Sequence, residues 1–423
     1  MNINNRRHHI QGYFRQLVII FILCVATGIH VFAQNNTSSP FTVFGLGEIE
    51  LRSYGITTGT GDVGIGVKST NFLNKRNPAG LSGIDTLTFI LDISGAVKFS
   101  EFSVASRNEH ATNFNFKNLA VGFRPAKIWT TSVGLCPYSN VGYKNKRYQA
   151  VDGTLPTVFV TTTFTGSGGV NKFYWGNSVE LIKGLSLGVT ASYFFGSIVH
   201  EESASSIRIK ETMTANKLNF DFGMQYSYLF GDPLGDNLQL TVGGVYGYKS
   251  DFHLYQDITI NSDKRVKPDH KTYLPESFGV GFSLLRNRKN SEWLFAADYY
   301  QQNWSADNKW SYESLRYEDS RMYNIGFQIT PNKKRPNNYL QLMHYQIGAC
   351  YQESYMSVNG HQLKDYSVSM GVGLPFRNRS YVNVSLNLGQ SGTWERGGIT
   401  ESYALLSINM SLIELWFAKQ KYD

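Results

Sequence analysis

The most constraining feature of this 423-residue chain is a strict alternation of apolar and small polar side chains, repeated along most of its length. In the stretch YVNVSLNLG (381–389), Asn383, Ser385 and Asn387 separate four aliphatic residues. A period of two places successive side chains on opposite faces of a β-strand. The same pattern recurs in LSLGVTASYF (185–194) and in many other segments. The alternation therefore predicts an all-β protein whose strands separate two different environments.

The polar face of these segments consists mainly of small, uncharged residues, which favours a crowded lumen over a solvated surface. Charged residues make up 17% of the chain, whereas about 25% is usual in soluble domains. In a soluble sandwich the apolar face would cover a core, whereas in an outer-membrane barrel it would meet lipid. A composition rich in Tyr, Phe and Gly suits β-structure and the aromatic girdles of a membrane barrel.

The lengths of the connections favour the membrane barrel. Fourteen strands are predicted, at residues 86–98, 112–124, 127–143, 169–182, 184–198, 215–230, 236–250, 272–286, 290–302, 320–330, 338–353, 363–376, 380–390 and 402–414. Long and short connections alternate along the chain, as short periplasmic turns and long extracellular loops do in outer-membrane barrels. We therefore predict a closed transmembrane antiparallel β-barrel of about 14 strands over residues 86–423, with both termini on the periplasmic side.

The N-terminus carries the signals of export. Three arginines precede the apolar run LVIIFILCV (17–25), and VFAQ offers a cleavage site after Ala33. We interpret residues 1–33 as a signal peptide, with a permanent anchor helix as the alternative. Lipidation of Cys24 is disfavoured because Leu23, rather than a small residue, precedes it. Export and a barrel together predict the outer membrane of a Gram-negative bacterium, with membrane lipid and lipopolysaccharide as neighbours.

Between the signal peptide and the first strand lies a glycine-rich segment, residues 34–85, without clean alternation. It contains SYGITTGTGDVGIGVKSTNFLNKRNPAGLSGIDTLTF (53–89), in which Asn77, Pro78 and Ala79 come shortly before the first strand. This arrangement resembles the long-chain fatty acid transporter (FadL) family of outer-membrane proteins. In that family the N-terminal residues form a hatch inside a 14-stranded barrel, and an Asn-Pro-Ala motif lies near the end of the hatch.

The resemblance implies that residues 34–85 form a hatch, or plug, inside the lumen, although a free periplasmic tail is the alternative. It also implies passive diffusion of hydrophobic compounds, such as long-chain fatty acids, along an apolar tunnel and out through a gap beside a kinked strand. Pro78 fixes its own φ and biases Asn77 to an extended conformation, from which the amide can bond nearby backbone.

Five apolar residues of this segment are candidates for lining a plug or a hydrophobic ligand route, or for forming the small core of the hatch. They are Phe41, Phe44, Leu46, Phe72 and Leu73. Candidates for the aromatic girdles are Tyr299, Tyr300, Tyr323, Trp416 and Phe417.

Pro137 could interrupt the pairing of a strand, because proline removes a ladder donor, or it could lie where that strand enters an extracellular loop. Cys136 and Cys350 could pair, but two distant cysteines do not make a disulfide framework, and two lone thiols are favoured.

The sequence offers no catalytic constellation. Its nine histidines are scattered without metal-ligand spacing, and no nucleophile elbow or phosphate-binding loop is present. GDPLGD (231–236) suits a simple turn better than a calcium loop. We therefore expect no enzyme activity, no metal, no cofactor and no nucleic-acid partner.

Two main functions remain. The first is a FadL-like channel for a hydrophobic small-molecule ligand. The alternative is a barrel subunit without transport activity that scaffolds an outer-membrane complex, such as barrel assembly or protein export machinery, through outer-membrane or periplasmic protein partners. A porin for polar solutes is a third and weaker interpretation, because it requires the hatch to be absent or displaced.

Overall fold

The computed structural model describes residues 37–43, 45–52, 54–104, 107–150, 159–233, 235–261, 263–264, 271–307, 315–332, 338–377, 379–393 and 398–416. The predicted signal peptide with its cleavage site, Phe44 and Phe417 lie outside these ranges.

Within these ranges, nineteen strands form one sheet, and short 3-10 helices precede or connect them. The strands are β1 (Glu48–Ile49), β2 (Thr88–Val104), β3 (Arg107–Ala126), β4 (Trp129–Ala150), β5 (Phe159–Ile182), β6 (Leu185–Ala204), β7 (Ile207–Gly231), β8 (Asn237–Gly247), β9 (Ser250–Ile260), β10 (Asp263–Lys264), β11 (Lys271–Leu274), β12 (Glu276–Asn287), β13 (Glu292–Asn303), β14 (Leu315–Tyr317), β15 (Ser320–Thr330), β16 (His344–Val358), β17 (His361–Arg377), β18 (Ser380–Gly392) and β19 (Ile399–Leu415). The 3-10 helices are η1 (Pro40–Val43), η2 (Gly55–Thr60), η3 (Pro78–Gly83), η4 (Ser305–Asp307) and η5 (Tyr339–Gln341).

The sheet closes on itself into an antiparallel barrel of 14 strands. The last strand, β19, pairs with β2 along its full length, from Leu415 opposite Thr88 to Ile399 opposite Val104. Three barrel strands are broken and consist of β8 with β9, β11 with β12, and β14 with β15. Closure satisfies the backbone groups that an open edge would leave unpaired in lipid. The predicted fold class is confirmed.

The two faces of the wall follow the alternation. Asn383, Ser385 and Asn387 are each 3% exposed, whereas Leu388 is 47% exposed. The hydroxyl of Ser385 lies 2.7 Å from that of Thr58, which belongs to the segment preceding the barrel. The polar face therefore points inward, and the aliphatic face covers the outside of the barrel.

An aromatic ladder crosses five neighbouring strands on the outer face. The rings of Tyr299 and Tyr323 lie 5.0 Å apart, and those of Tyr351 and Tyr366 lie 4.8 Å apart. Near the other end of the barrel, Trp416 stacks on Phe89 at 4.1 Å.

One predicted girdle residue was assigned to the wrong face. Tyr300 lines an internal cavity, because it follows the outward-facing Tyr299 and successive strand residues point to opposite sides.

We name the two ends of the barrel the short-turn end and the long-loop end after the connections predicted there. The predicted contrast in length is not seen, because hairpins at the long-loop end close in turns as short as residues 205–206 and 359–360. At the long-loop end the strands extend beyond the predicted boundaries. β4 continues to Ala150, and residues 144–150 are exposed on both faces. Alternation is required only where the faces differ, so a hairpin that projects into water can continue the backbone pairing without it.

Candidate functional site: the filled lumen

The described residues from 37 to 87, here called the N-terminal segment, lie against the inner face of the barrel. Helix η2 contacts β15 to β19, and helix η3 contacts β4 to β7. Glycines on the wall permit this approach. A Cβ added to Gly348 would lie 2.2 Å from the Gly61 nitrogen, and one added to Gly326 would lie 2.1 Å from the Thr60 oxygen. The segment therefore reaches the wall through direct backbone contact.

Asn77 connects η3 to the barrel wall through hydrogen bonds. It is extended and fully buried, and its side chain accepts a hydrogen bond from the Ala79 nitrogen at 3.0 Å, while Pro78 begins the helix. Its amide also donates to the Ile65 oxygen at 2.9 Å and to the Met224 oxygen at 3.1 Å. One side chain thus caps a helix and joins the segment to itself and to β7.

Carboxylates on the barrel strands accept hydrogen bonds from backbone N–H groups of the segment. Asp298 on β13 accepts from the nitrogens of Gly64 and Ile65, the latter at 2.8 Å. Asp92 on β2 accepts from the Leu73 nitrogen at 3.0 Å. Charge-assisted hydrogen bonds of this kind are stronger than neutral ones. These bonds attach the irregular backbone of the N-terminal segment to the barrel strands.

Four ion pairs join residues 48–52 of the segment to the barrel wall or lie beside these residues. Lys117 on β3 lies 2.8 Å from Glu50, and Lys98 on β2 lies 2.8 Å from Glu401 and 3.4 Å from Glu48. The remaining pair is described below. Burial opposes ionisation of Glu50, but Lys117, together with Lys75 and Lys98, outweighs it, and the pKa of Glu50 is held below its usual value.

Arg52 donates from its guanidinium to Asp365 on β17 and to the hydroxyl of Tyr403 on β19. Burial opposes the charged form of Arg52, yet the neighbouring Asp365 carboxylate raises the pKa of Arg52 above its ordinary value. Sequence reasoning missed this whole set of charges. A usable signal was present, since ionisable residues inside membrane strands face the lumen and mark interactions there.

The predicted lining residues do not share one surface. Leu46, with Phe41 against it, packs into an apolar cluster at the long-loop end that includes Phe194. Phe72 packs with Ile56, Val63, Val67 and Ala296. Leu73 packs with Leu81, Ile84, Ile90, Ala120, Cys136, Tyr174 and Ile413. Phe41, Leu46, Phe72 and Leu73 thus belong to three separate apolar clusters.

Several cavities lie around the segment, and three of them exceed 100 Å³. One of ≈120 Å³ lies on the side of residues 50–52 that faces Lys98 and Lys117, and one of ≈150 Å³ lies on the side that faces Lys172 and Tyr300. The third, of ≈460 Å³, is lined by Lys68, Glu180, His344 and other polar residues. All three include charged side chains in their lining, which is unfavourable for a wholly apolar ligand.

The barrel wall is open along part of the β3–β4 seam. Their ladder runs from Ala126 opposite Trp129 to Leu119 opposite Leu135, and the rest of β3 towards Arg107 has no partner on β4. The edge of β4 pairs instead with β1 of the N-terminal segment.

Pro137 lies in the interior of β4 beside this interruption, where the register with β5 also shifts. Of its two predicted positions, the interruption of strand pairing is the one observed. Cys136 and Cys350 are both buried and free, as favoured from the sequence.

The sequence matches the BamG family over residues 14–423. The chain belongs to the BamG family. No curated protein matches it.

This BamG-family barrel has the fold of solved transporter structures. It is 13% identical to the toluene transporter TbuX of Ralstonia pickettii, with a TM-score of 0.55 over 85% of this chain and 98% of that one. The toluene transporter TodX of P. putida is 14% identical, with a TM-score of 0.56 over 87% and 99% of the two chains. A Pseudomonas aeruginosa FadL homologue is 9% identical, with a TM-score of 0.53 over 87% and 99%. At such low identities the likeness shows the fold alone.

Neither a membrane-spanning helix nor a metal site is present within the described residues. No helix there is long and apolar enough to span a membrane. No group of three or more His, Cys, Asp or Glu side chains in the same ranges is placed to hold a metal ion.

Proposed function

We propose that this BamG-family barrel is a structural subunit of an outer-membrane complex, such as barrel assembly machinery, whose own lumen is closed by the N-terminal segment. The observation that carries the proposal is the filled lumen. The segment contacts strands around the barrel wall, and its apolar residues are used in three separate cores. Membership of the BamG family is compatible with this role. The predicted signal peptide, cleaved after Ala33, would deliver the chain to the outer membrane of a Gram-negative bacterium.

Two features support a stable attachment of the N-terminal segment. Asn77 bonds the segment to β7, and the ion pairs of Glu50 and Arg52 bond it to β3 and β17. A barrel that conducts continuously would gain nothing from this many polar contacts across its lumen. A barrel that presents its outer surface or its loops to partner proteins requires a lumen that does not leak.

Extraction in a mild detergent, followed by native mass spectrometry of the tagged full-length protein, tests the proposal. We expect one or more protein partners in stoichiometric amounts. The matched control is an unrelated outer-membrane barrel carrying the same tag and extracted from the same cells. A chain recovered only as a monomer without stoichiometric partners would eliminate the scaffold role.

Passive transport of hydrophobic compounds is the second candidate, and the open β3–β4 seam specifically favours it. The seam lies beside the ≈120 Å³ cavity, whose lining includes Asn113, Asn115 and Lys117 of β3. The solved neighbours include two toluene transporters. Transport would require displacement of the contacts between Lys117 and Glu50, because they lie in this path.

Uptake of toluene and of a long-chain fatty acid into proteoliposomes tests the transport role. Transport predicts uptake above that of protein-free vesicles, and a disulfide that closes the seam should abolish it. Flux at the protein-free level for both compounds would exclude the role for these ligands. The two tests are independent, so either function can fail alone.

A further inference from the structure

The ≈150 Å³ cavity, here called the central cavity, contains an excess of positive charge. Its lining includes Lys75 and Arg76 of the N-terminal segment, Lys172 of β5 and Asp221 of β7. Glu50 and Arg52 also contribute, but each already has an opposite partner outside the cavity. That leaves three cations and one carboxylate to share the space.

None of the three cations forms an ion pair with a carboxylate within the described residues. The Lys75 ammonium lies 5.0 Å from the ring centre of Tyr54, and the Lys172 ammonium lies 6.0 Å from that of Phe194. The Nε atom of Arg76 is buried without a hydrogen-bond partner, although Nη2 contacts the Met322 sulfur at 2.9 Å.

The pKa of Lys75 also reflects the excess of positive charge around the cavity. Burial, together with repulsion from Lys172 and Arg76, lowers the pKa of Lys75 from its usual value despite opposing contributions from Cys136 and Glu50. Buried like charges of this kind are costly unless an anion compensates them. The space greatly exceeds the ~10–15 Å³ that one water molecule needs.

The wall beside the central cavity has its own opening, distinct from the β3–β4 seam. The ladder of β7 runs from Gly231 to Asp221 with β8, and it resumes at Ala215 with Leu254 of β9. Residues 216–220 of β7 therefore have no partner on that side. Phe222 and Tyr246, the neighbouring pair, line the cavity and are nonetheless 48% and 45% exposed. The cavity thus extends through the wall towards the membrane face.

The position of this opening along the membrane normal matches that of a lipid headgroup. About ten residues of tilted strand separate Asp221 from the end of β7 at Gly231, which corresponds to a rise of about 26 Å. The apolar band of an outer-membrane barrel is about 25 Å tall. The opening therefore lies at the outer boundary of the hydrocarbon region.

We propose that the central cavity binds a phosphate group, held by Lys75, Arg76 and Lys172. The phosphate could belong to a lipid headgroup that enters between β7 and β9, or it could be a free ion. Both sources offer the same chemistry: an anion of up to two negative charges that matches the excess of cations, with oxygen acceptors for the unpartnered Arg76 Nε. The proposal does not rest on either of the functions above.

The test measures binding of inorganic phosphate to the purified full-length protein in a non-ionic detergent by calorimetry. We expect binding to the wild type, at least tenfold weaker binding to Lys172→Gln and to Lys75→Gln, and unchanged binding to Lys144→Gln, which alters an exposed lysine of β4. Asp221→Asn should bind phosphate more tightly, because Asp221 is a cavity carboxylate without an ion-pair partner outside the cavity, whereas Glu50 pairs with Lys117. This gain cannot arise from misfolding.

Nanodiscs distinguish the two sources. If the phosphate belongs to a lipid, phosphatidylglycerol should remain bound to the wild type in native mass spectrometry, be lost from Lys172→Gln, and compete with inorganic phosphate. Phosphate binding without lipid retention would assign the site to the free ion. Absence of both, or equal binding to the wild type and the Lys172→Gln and Lys75→Gln variants, would overturn the proposal.

Discussion

The ammonium of Lys117 on β3 lies 2.8 Å from the carboxylate of Glu50 in the N-terminal segment, beside the place where β3 separates from β4. Both side chains are largely buried, at 15% and 14% exposure. This contact joins the N-terminal segment to β3, the strand that borders the open seam. Its loss should therefore affect both the attachment of the segment and the seam.

Replacing Lys117 by methionine should weaken the attachment of the segment, because Glu50 keeps its charge without a partner. Breaking a buried pair in this way costs about 3–5 kcal/mol. We expect a lower thermal transition of the purified protein and bursts of ionic conductance in planar bilayers. The double variant Lys117→Met/Glu50→Gln should recover much of the loss, and equal effects of the single and double variants would contradict the role of the pair.

The same contact predicts a pH dependence. The folded pKa of Glu50 is lowered, so the stabilisation is present at pH values above the unfolded pKa and is lost as the pH falls through the folded one. The contact should therefore persist at neutral pH and weaken only below the ordinary glutamate pKa of about 4.3. The conductance of the wild-type protein, recorded in steps of about one pH unit from pH 7 to pH 3, should rise only at the acidic end. Glu50→Gln should lack this part of the rise, and an identical pH profile for that variant would refute the assignment.

Asn77→Ala should destabilise the segment through the loss of a helix cap and of bonds to Ile65 and Met224. Loss of a cap costs about 1 kcal/mol, and each buried group left unpaired costs about 1–3 kcal/mol. Chemical unfolding monitored by tryptophan fluorescence measures the change. Asn108→Ala, at an exposed position of β3, is the matched control, and a similar loss in both variants would show that the motif has no special contribution.

Gly348→Ala should displace the segment without disrupting the barrel, because the added methyl group would meet the Gly61 nitrogen at 2.2 Å. The expected result is increased conductance with unchanged β-sheet circular dichroism. Gly95→Ala places its methyl group at 3.5 Å from the nearest atom and serves as the control. An unchanged conductance in Gly348→Ala would mean that the segment does not seal the lumen.

Ile408→Arg tests the outer face. Ile408 is 39% exposed and lies opposite Val384, in the part of the wall that we assign to the hydrocarbon. Arginine near the bilayer midplane costs about 2–4 kcal/mol. Folding into lipid vesicles should show this loss, whereas Tyr148→Arg, on a projecting hairpin, should fold normally. A soluble, folded Ile408→Arg protein that no longer needs detergent would be incompatible with the barrel facing lipid.

The sequence by itself determined the 14 strands and their inward and outward faces, because both follow from a local period of two against two different solvents. It also indicated Asn77 as a polar residue that would satisfy nearby backbone, since an Asn-Pro pair acts over a few residues. These are short-range properties. Val384 and Ser385, for example, take opposite faces of their strand because of local alternation alone.

Only the tertiary structure decided what occupies the lumen. Lys117 meets Glu50, and Arg52 meets Asp365, across 67 and 313 residues of sequence. Such pairs depend on closure of the barrel and on the path of an irregular segment, which no periodicity encodes. Tyr300 illustrates both levels. Alternation relative to the outward-facing Tyr299 is enough to place Tyr300 on the inner face, but the cavity that Tyr300 lines exists only because strands far apart in the chain curve around the same space.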